Sequence, residues 1–333
     1  MKKLCVIIFM LLFVTTAISL TAGGEKEAAE TGVIKYYTDN DEAELDPLAS
    51  AIAKGTGLKL EPLRMSSGEA WARVEAEAPN VGADLHFGWP HSFALMAKAK
   101  GLLMQYDSPT WKNIPAQYKD PEGYWWGWSY WFACVGVNTK LLAEKGYPMP
   151  RSWKDLLDPK WKGEIVMPNP GTSGTAFLTV STIMQLYGED EGWKYLEALH
   201  KNVAQYTKSG SAPGQLSAQG EYIIGITWDQ AVQSRKNEGY PVEMVIPEEG
   251  TGFVLDIAVI YKNTKNPKGA KKFIDYIGTR EFQEVVAKYR SKVTYPGVEA
   301  LVKFEPKLID YDAYWAAENR DRIMGTWREK FGQ

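Results

Sequence analysis

VIKYYTDND at residues 33–41, LKLEPL at 58–63 and ADLHF at 83–87 are short runs of β-branched, aromatic and aliphatic residues, the composition of strands. Between them Leu45, Leu48 and Ile52 fall three and four apart as far as Gly55, a helix is expected over 69–78 after the SSG of 66–68, and another over 93–100 after GWPHS at 88–92. Strand and helix alternate, which predicts an α/β fold built on a mostly parallel sheet. The strand-to-helix turns are short and polar. In open α/β sheets such turns lie at the carboxyl ends of the strands, where helix N-termini offer unpaired N–H groups to a ligand.

The same logic repeats further along. Glu164 to Met167 reads as a strand, NPGTSGT at 169–175 as its turn, and Phe177, Val180, Ile183, Met184 and Tyr187 as one helical face. Ser211, with Pro213 in the first turn, opens another helix, and Tyr222 to Thr227 is the strand that follows. Two extended stretches, near 124–139 and 250–261, flank this inner block. The expected organisation is a first lobe from 33–129 and 252–300, a second lobe from 130–251, and a C-terminal helical segment over 301–333 packed on both. Two crossing strands between lobes make a hinge.

The 333 residues are 45% hydrophobic and 24% charged with a net charge of −3, a globular composition without the basic surface that nucleic acid requires. Met1, Lys2 and Lys3 precede an apolar run from Leu4 to Val14 and small residues up to Ala22, the pattern of a secretion signal over 1–22. A flexible leader over 23–32 follows. Loss of Lys2 and Lys3 takes the net charge from −3 to −5 and loss of Cys5 leaves Cys134 alone, so no intramolecular disulfide and no cysteine metal cluster is expected. No cysteine stands at the cleavage zone to carry a lipid anchor. The expected location is the periplasm.

Tyr-Tyr-Thr-Asp at 36–39 behind a secretion signal, GVNTKL at 136–141, PRSWKDLLDPKWKG at 150–163, PNPGTSGT at 168–175 and VIPEEGTG at 245–252 together resemble the family 1 extracellular solute-binding proteins of ABC importers. Within that family they are most similar to the ferric-iron, phosphonate and hexose-phosphate binding branch. The resemblance spans essentially the whole mature chain. It implies a two-lobed clamshell of the type II periplasmic-binding-protein class, a small-molecule ligand in the cleft, and neither catalysis nor a cofactor. The implied partners are permease and ATPase subunits, the only membrane contact is peripheral and through the permease, and the protein acts as a monomer.

The ligand is read from the turns. Thr172, Ser173, Gly174 and Thr175 place hydroxyls and an unobstructed glycine at a helix start, and Ser209, Gly210 and Ser211 do the same, so phosphate or carboxylate oxygens are the matching chemistry. Thr38, Asp39 and Ser67 are candidates from the opposite lobe. The resemblance implies an acid after the second-lobe strand, Asp229, and another at Glu248 or Glu249, as acceptors for sugar hydroxyls or an amine. Trp228 stands where relatives carry a histidine, and its indole can stack on a sugar or cover a cation. Trp89, Trp128 and His91 are candidate cleft residues, whereas Trp126, Trp131 and His86 read as structural. A sugar phosphate or phosphonate is the expected ligand. The alternatives are a polyamine-like cation and ferric iron. Iron-binding relatives use a tyrosine pair where this chain has Trp228 and Asp229, and the adjacent Tyr36 and Tyr37 point to opposite faces of a strand, one expected in the core and one in solvent. Asp41, Asp229 and Glu249 are then the available hard-oxygen ligands. With three histidines, no G-x-S-x-G elbow, no H-E-x-x-H and no Walker loop, a secreted enzyme is disfavoured.

Overall fold

The structure, a computed structural model, describes residues 32–332. The expected signal over 1–22 and all but the last residue of the leader lie outside the described residues. The elements run β1 (Val33–Thr38), α1 (Glu42–Thr56), β2 (Lys59–Arg64), α2 (Ser67–Glu77), β3 (Leu85–Pro90), α3 (His91–Ala99), β4 (Trp126–Asn138) and α4 (Thr139–Lys145). They continue with β5 (Ile165–Pro168), α5 (Gly174–Tyr187), α6 (Glu189–His200), β6 (Val203–Thr207), α7 (Ala212–Gln219), β7 (Ile224–Trp228), α8 (Asp229–Asn237) and β8 (Val242–Val245). The last are β9 (Phe253–Ile260), α9 (Pro267–Ile277), α10 (Arg280–Val286), β10 (Lys292–Val293) and α11 (Ala313–Phe331).

The strands order as β2-β1-β3-β9-β4-β7-β5-β6, with β8 and β10 also pairing β4. Pairing of β1 with β2 and β3, and of β5 with β6 and β7, is parallel, while β9 and β4 run antiparallel to their neighbours. The sheets are therefore mixed, because the two crossing strands return without a helical crossover. Strand β4 pairs β9 from Trp126 to Phe132 and β7 from Ala133 to Val137. One strand thus pairs in two sheets, its partner changing from β9 to β7 between Phe132 and Ala133.

Helices cover both faces of the first-lobe sheet, so both faces are buried. Tyr36 packs with Phe87, Trp126, Trp128 and Phe273 on one side, and Tyr37 with Trp71, Trp89 and Phe93 on the other. The expectation of one solvent-facing tyrosine in this pair is corrected: both are buried. The second lobe has its own core around Trp153, Trp161, Phe177 and Ile183, joined by Ile323, Met324 and Trp327 of α11. Over the C-terminal stretch, 301–312 is not helical and only α11 is. Cys134 is buried as a free thiol, and no helix among the described residues is long and apolar enough to cross a membrane.

Candidate functional site

A small cavity, about 50 Å³, lies where the strand-to-helix turns of the two lobes face each other. The first lobe contributes Asp39 and Asp41 after β1, Arg64 ending β2, Ser66 and Ser67 at the start of α2, and Arg290 after α10. The second lobe contributes Ser173, Gly174 and Thr175 at the start of α5, Ser209, Gly210 and Ser211 before α7, and Trp228 ending β7. Trp131 of β4 and Asp256 of β9 close it along the crossing strands. The lobes touch around the rim: Gly68 N–H donates to the Thr172 carbonyl at 3.0 Å, Ser211 Oγ donates to Asp41 Oδ1 at 3.0 Å, and Lys208 pairs with Glu69 at 2.7 Å.

Five helices, α1, α2, α5, α7 and α8, begin at this cavity, the cap residues of α1 and α8 being Asp41 and Trp228. Ser66 and Glu69 form a capping box on α2, and Ser173 Oγ accepts from Ala176 N–H on α5. The N–H groups of Gly174 and Thr175, first in α5, have no intrahelical acceptor. The approach is too close for side chains at two glycines. A Cβ on Gly174 would stand 2.8 Å from Pro90 Cγ and 2.9 Å from Ser67 Oγ, and one on Gly210 would strike Thr175 Oγ1 and stand 2.8 Å from Thr175 Cβ.

Charge is dense here and mostly paired. The buried Arg290 guanidinium bonds Glu44 at 2.8 Å, Asp256 at 2.9 Å and Asn40 Oδ1 at 2.9 Å, and lies between the Trp128 and Trp228 rings at 4.9 and 5.0 Å. Burial holds the Glu44 carboxyl up at about 7 against the opposing pull of Arg290, and raises Asp41 and Asp256 in the same way. Asp39 is held well above the usual carboxylate range by burial and then by the charge of Asp256, although Ser67 Oγ donates to its Oδ2.

Of the residues expected at the ligand, Asp39, Ser67, Ser173, Gly174, Thr175, Ser211 and Trp228 line this cavity, as does Asp41. The others stand elsewhere. Thr38 is buried, with Oγ1 accepting from Asn40 N–H. Trp89 is stacked between His86 and Phe93, at ring separations of 4.3 and 5.4 Å. Trp128 stacks on Phe87 at 4.6 Å beneath Arg290. His91 packs on Trp125 at a separate cavity with Tyr118, Tyr130 and Tyr314, and burial pushes its pKa down to about 4. Thr172 donates to the Lys208 carbonyl. Asp229, fully buried at the start of α8, accepts from Phe132 N–H at 3.4 Å, and burial raises it to about 7. Glu249 accepts from Trp153 N–H and the Tyr187 hydroxyl, holding second-lobe segments together.

Sequence reading missed Arg64, Asp256 and Arg290; Trp131, read as structural, is buried in a cluster with Leu178, Trp228 and Val254 and also lines the cavity. Asp256 carried a signal: it is the one charge in the apolar run Phe253–Ile260, and a buried charge needs a partner. Arg290 had none, since its bonded partners come from two distant segments, 40–44 and the strand holding Asp256.

Residues 79–314 match the family model described as bacterial extracellular solute-binding protein. The chain belongs to that family. An uncharacterized protein of Haemophilus influenzae is 34% identical to this solute-binding protein over 325 residues, 93% of each chain. A probable ABC transporter periplasmic-binding protein, y4fP of Sinorhizobium fredii, is 28% identical over 249 residues, 72% of this chain and 67% of its own. Among solved structures, the periplasmic binding protein AfuA from Actinobacillus pleuropneumoniae, with exogenous fructose-6-phosphate bound, superposes with a TM-score of 0.85 at 34% identity, covering 90% of this chain and 98% of that one. Iron-bound HitA from Pseudomonas aeruginosa shares the fold, with a TM-score of 0.77 at 18% identity and coverage of 90% and 99%. The architecture is the two-lobed clamshell of type II periplasmic binding proteins, and the protein is a periplasmic solute-binding protein of an ABC importer. Members of this class bind small ligands and work with permease and ATPase subunits; its homologues are binding proteins rather than enzymes.

Proposed function

We propose that this protein captures an organophosphate, a sugar phosphate or a phosphonate, and delivers it as a monomer to its permease without chemical change. The observation that carries the reading is the meeting of the helix N-termini of α2, α5 and α7, the Ser173, Thr175, Ser209 and Ser211 hydroxyls and the cations Arg64 and Arg290 at one cavity that also holds Asp39, Asp41 and Asp256. N–H groups and hydroxyls favour phosphate oxygens. A carboxylate favours a ligand whose remainder carries donors. AfuA, with fructose-6-phosphate bound, is a relative over nearly the whole chain. The rim contacts between lobes support capture by closure, in which ligand that touches both lobes favours the state where they meet.

Ferric iron has less support. Asp41 lines the cavity, but Asp229 and Glu249 do not, and among the described residues no group of three His, Cys, Asp or Glu is arranged to hold a metal ion. A polyamine suits Asp39 and Asp41 but meets Arg64 and Arg290 in the same cavity. Ligand-stripped mature protein is to be screened by thermal shift against fructose 6-phosphate, inorganic phosphate, 2-aminoethylphosphonate, spermidine and ferric citrate. A rise with a phosphorus compound is expected; a rise with ferric citrate or spermidine alone would refute the proposal.

A further inference from the structure

Arg320 of α11 is a second guanidinium buried to 6% exposure. Its Nε and Nη2 are enclosed without a partner, whereas Arg290 meets Glu44, Asp256 and Asn40. Two rings flank it: the guanidinium carbon lies 4.8 Å from the centre of Phe93 and 5.2 Å from that of Phe177. Burial draws its pKa down to about 10 against the charges of Asp321 and Glu75, so it keeps its charge at neutral pH. Buried charges are as a rule paired, and this one is left to the rings. The rings belong to different lobes. Phe93 stands on α3, in the first-lobe core with Trp71 and Trp89, and Phe177 stands on α5, one turn beyond Gly174, in the second-lobe core that also holds Ala316, Ile323, Met324 and Trp327 of α11. Arg320 therefore travels with Phe177. Rotation about the crossing strands shifts α3 against α11, which lie in contact here, and takes Phe93 away from the guanidinium. Opening lets water reach Nε and Nη2. Closure strips two N–H groups of a full charge and returns one ring face. A desolvated cation–ring contact is worth about as much as one hydrogen bond to a charge, so one gained against two lost leaves closure opposed at this point.

We infer that Arg320 is a positioning residue that works as a spring against closure: seated between Phe93 of one lobe and Phe177 of the other, it holds the unliganded cleft open until ligand contacts to both lobes overcome it. The spring rests on capture by closure and not on which ligand is captured. Arg320 lies outside the residues that line the cavity, so its effect on binding passes through the population of the closed state alone. Delivery gives it a use, since a cation that regains water on opening favours the state that releases the ligand.

The test compares the mature parent with Arg320→Met and, as a control, Arg322→Met, whose guanidinium is half exposed and bonds Glu189 within the second lobe. Met fills the space between the rings and gives up the charge, and removal of a buried charge that has no ion-pair partner strands no opposite charge, so Arg320→Met is expected to melt no lower than the parent. Without ligand, its radius of gyration in small-angle X-ray scattering should be smaller than the parent's. Calorimetric titration should show fructose 6-phosphate bound about tenfold tighter, the worth of about one hydrogen bond to a charge. Arg322→Met should change neither quantity. An unliganded radius equal to or above the parent's, or binding no tighter than the parent's, overturns the spring while the organophosphate reading stands. If fructose 6-phosphate binds none of the proteins, the sugar-phosphate reading fails and the radius alone decides the spring. If it binds the parent without reducing the radius, capture by closure falls and the spring falls with it.

Discussion

Gly174→Ala separates closure from folding. The added methyl would lie 2.8 Å from Pro90 Cγ and 2.9 Å from Ser67 Oγ, roughly 1 Å inside ordinary carbon contact. Both obstacles belong to the first lobe, whereas Gly174 begins α5 of the second. Neither yields readily, since Pro90 is a ring on β3 and Ser67 is tied to Asp39. Overpacking of this size costs about 1–3 kcal/mol, a factor of about 5 to 150 in the population of the state where the lobes meet. Apparent affinity falls with that population. Hinge opening relieves the clash, so the unliganded variant should melt within about 2 °C of the parent, given that about 1 kcal/mol corresponds to about 2–4 °C in a chain of this size. Gly210→Ala is the internal control. Its methyl meets Thr175 within the second lobe, opening cannot relieve it, and both melting temperature and affinity should fall. Calorimetric titration with fructose 6-phosphate and a thermal melt of each variant decide the matter. Gly174→Ala binding within twofold of the parent, or losing stability as much as Gly210→Ala, refutes the closure argument.

Three further outcomes are expected. Arg290→Met leaves Glu44 and Asp256 buried without their cation and should cost about 3–5 kcal/mol in urea unfolding, part of it recovered by adding Glu44→Gln; an unchanged midpoint would show that the pairs are dispensable. Asp229, raised by burial to about 7, binds its proton more tightly folded than unfolded. Its contribution is therefore fully favourable below about pH 4 and is lost as pH rises through about 7, so Asp229→Asn should flatten the decline of stability between pH 5 and 7.5 in urea melts, and an undiminished slope would contradict this. Thr175→Val keeps the shape of a cavity-lining side chain and removes its hydroxyl; phosphate-ester affinity should drop about fivefold to fifteenfold for one lost hydrogen bond, and unaltered binding would move the phosphate away from α5.

Local pattern carried much of the molecule. The alternation of β-rich runs with helical faces over 33–100 and again over 164–227 stated the fold class, and SSG, TSGT and SGS marked the helix starts that line the cavity, because caps and turns are set by a few neighbouring residues. Family likeness, carried by motifs such as PNPGTSGT, was legible for the same reason. Pairing across the chain was not. Trp131 and Trp128 stand on one strand in the same aromatic run, yet the register slips between Gly127 and Ser129 where β4 meets β9, and only Trp131 reaches the cavity. Arg290 draws its acids from residues 44 and 256, and Glu249, next to the expected acid position, turns instead to Trp153 and Tyr187. The sequence by itself determined the elements, the turns and the family, since those follow from residues within one turn or strand of each other. Only the tertiary structure decided which charges meet at the cleft, because a buried ion pair is chosen by what the folded chain excludes from water together, not by spacing along it.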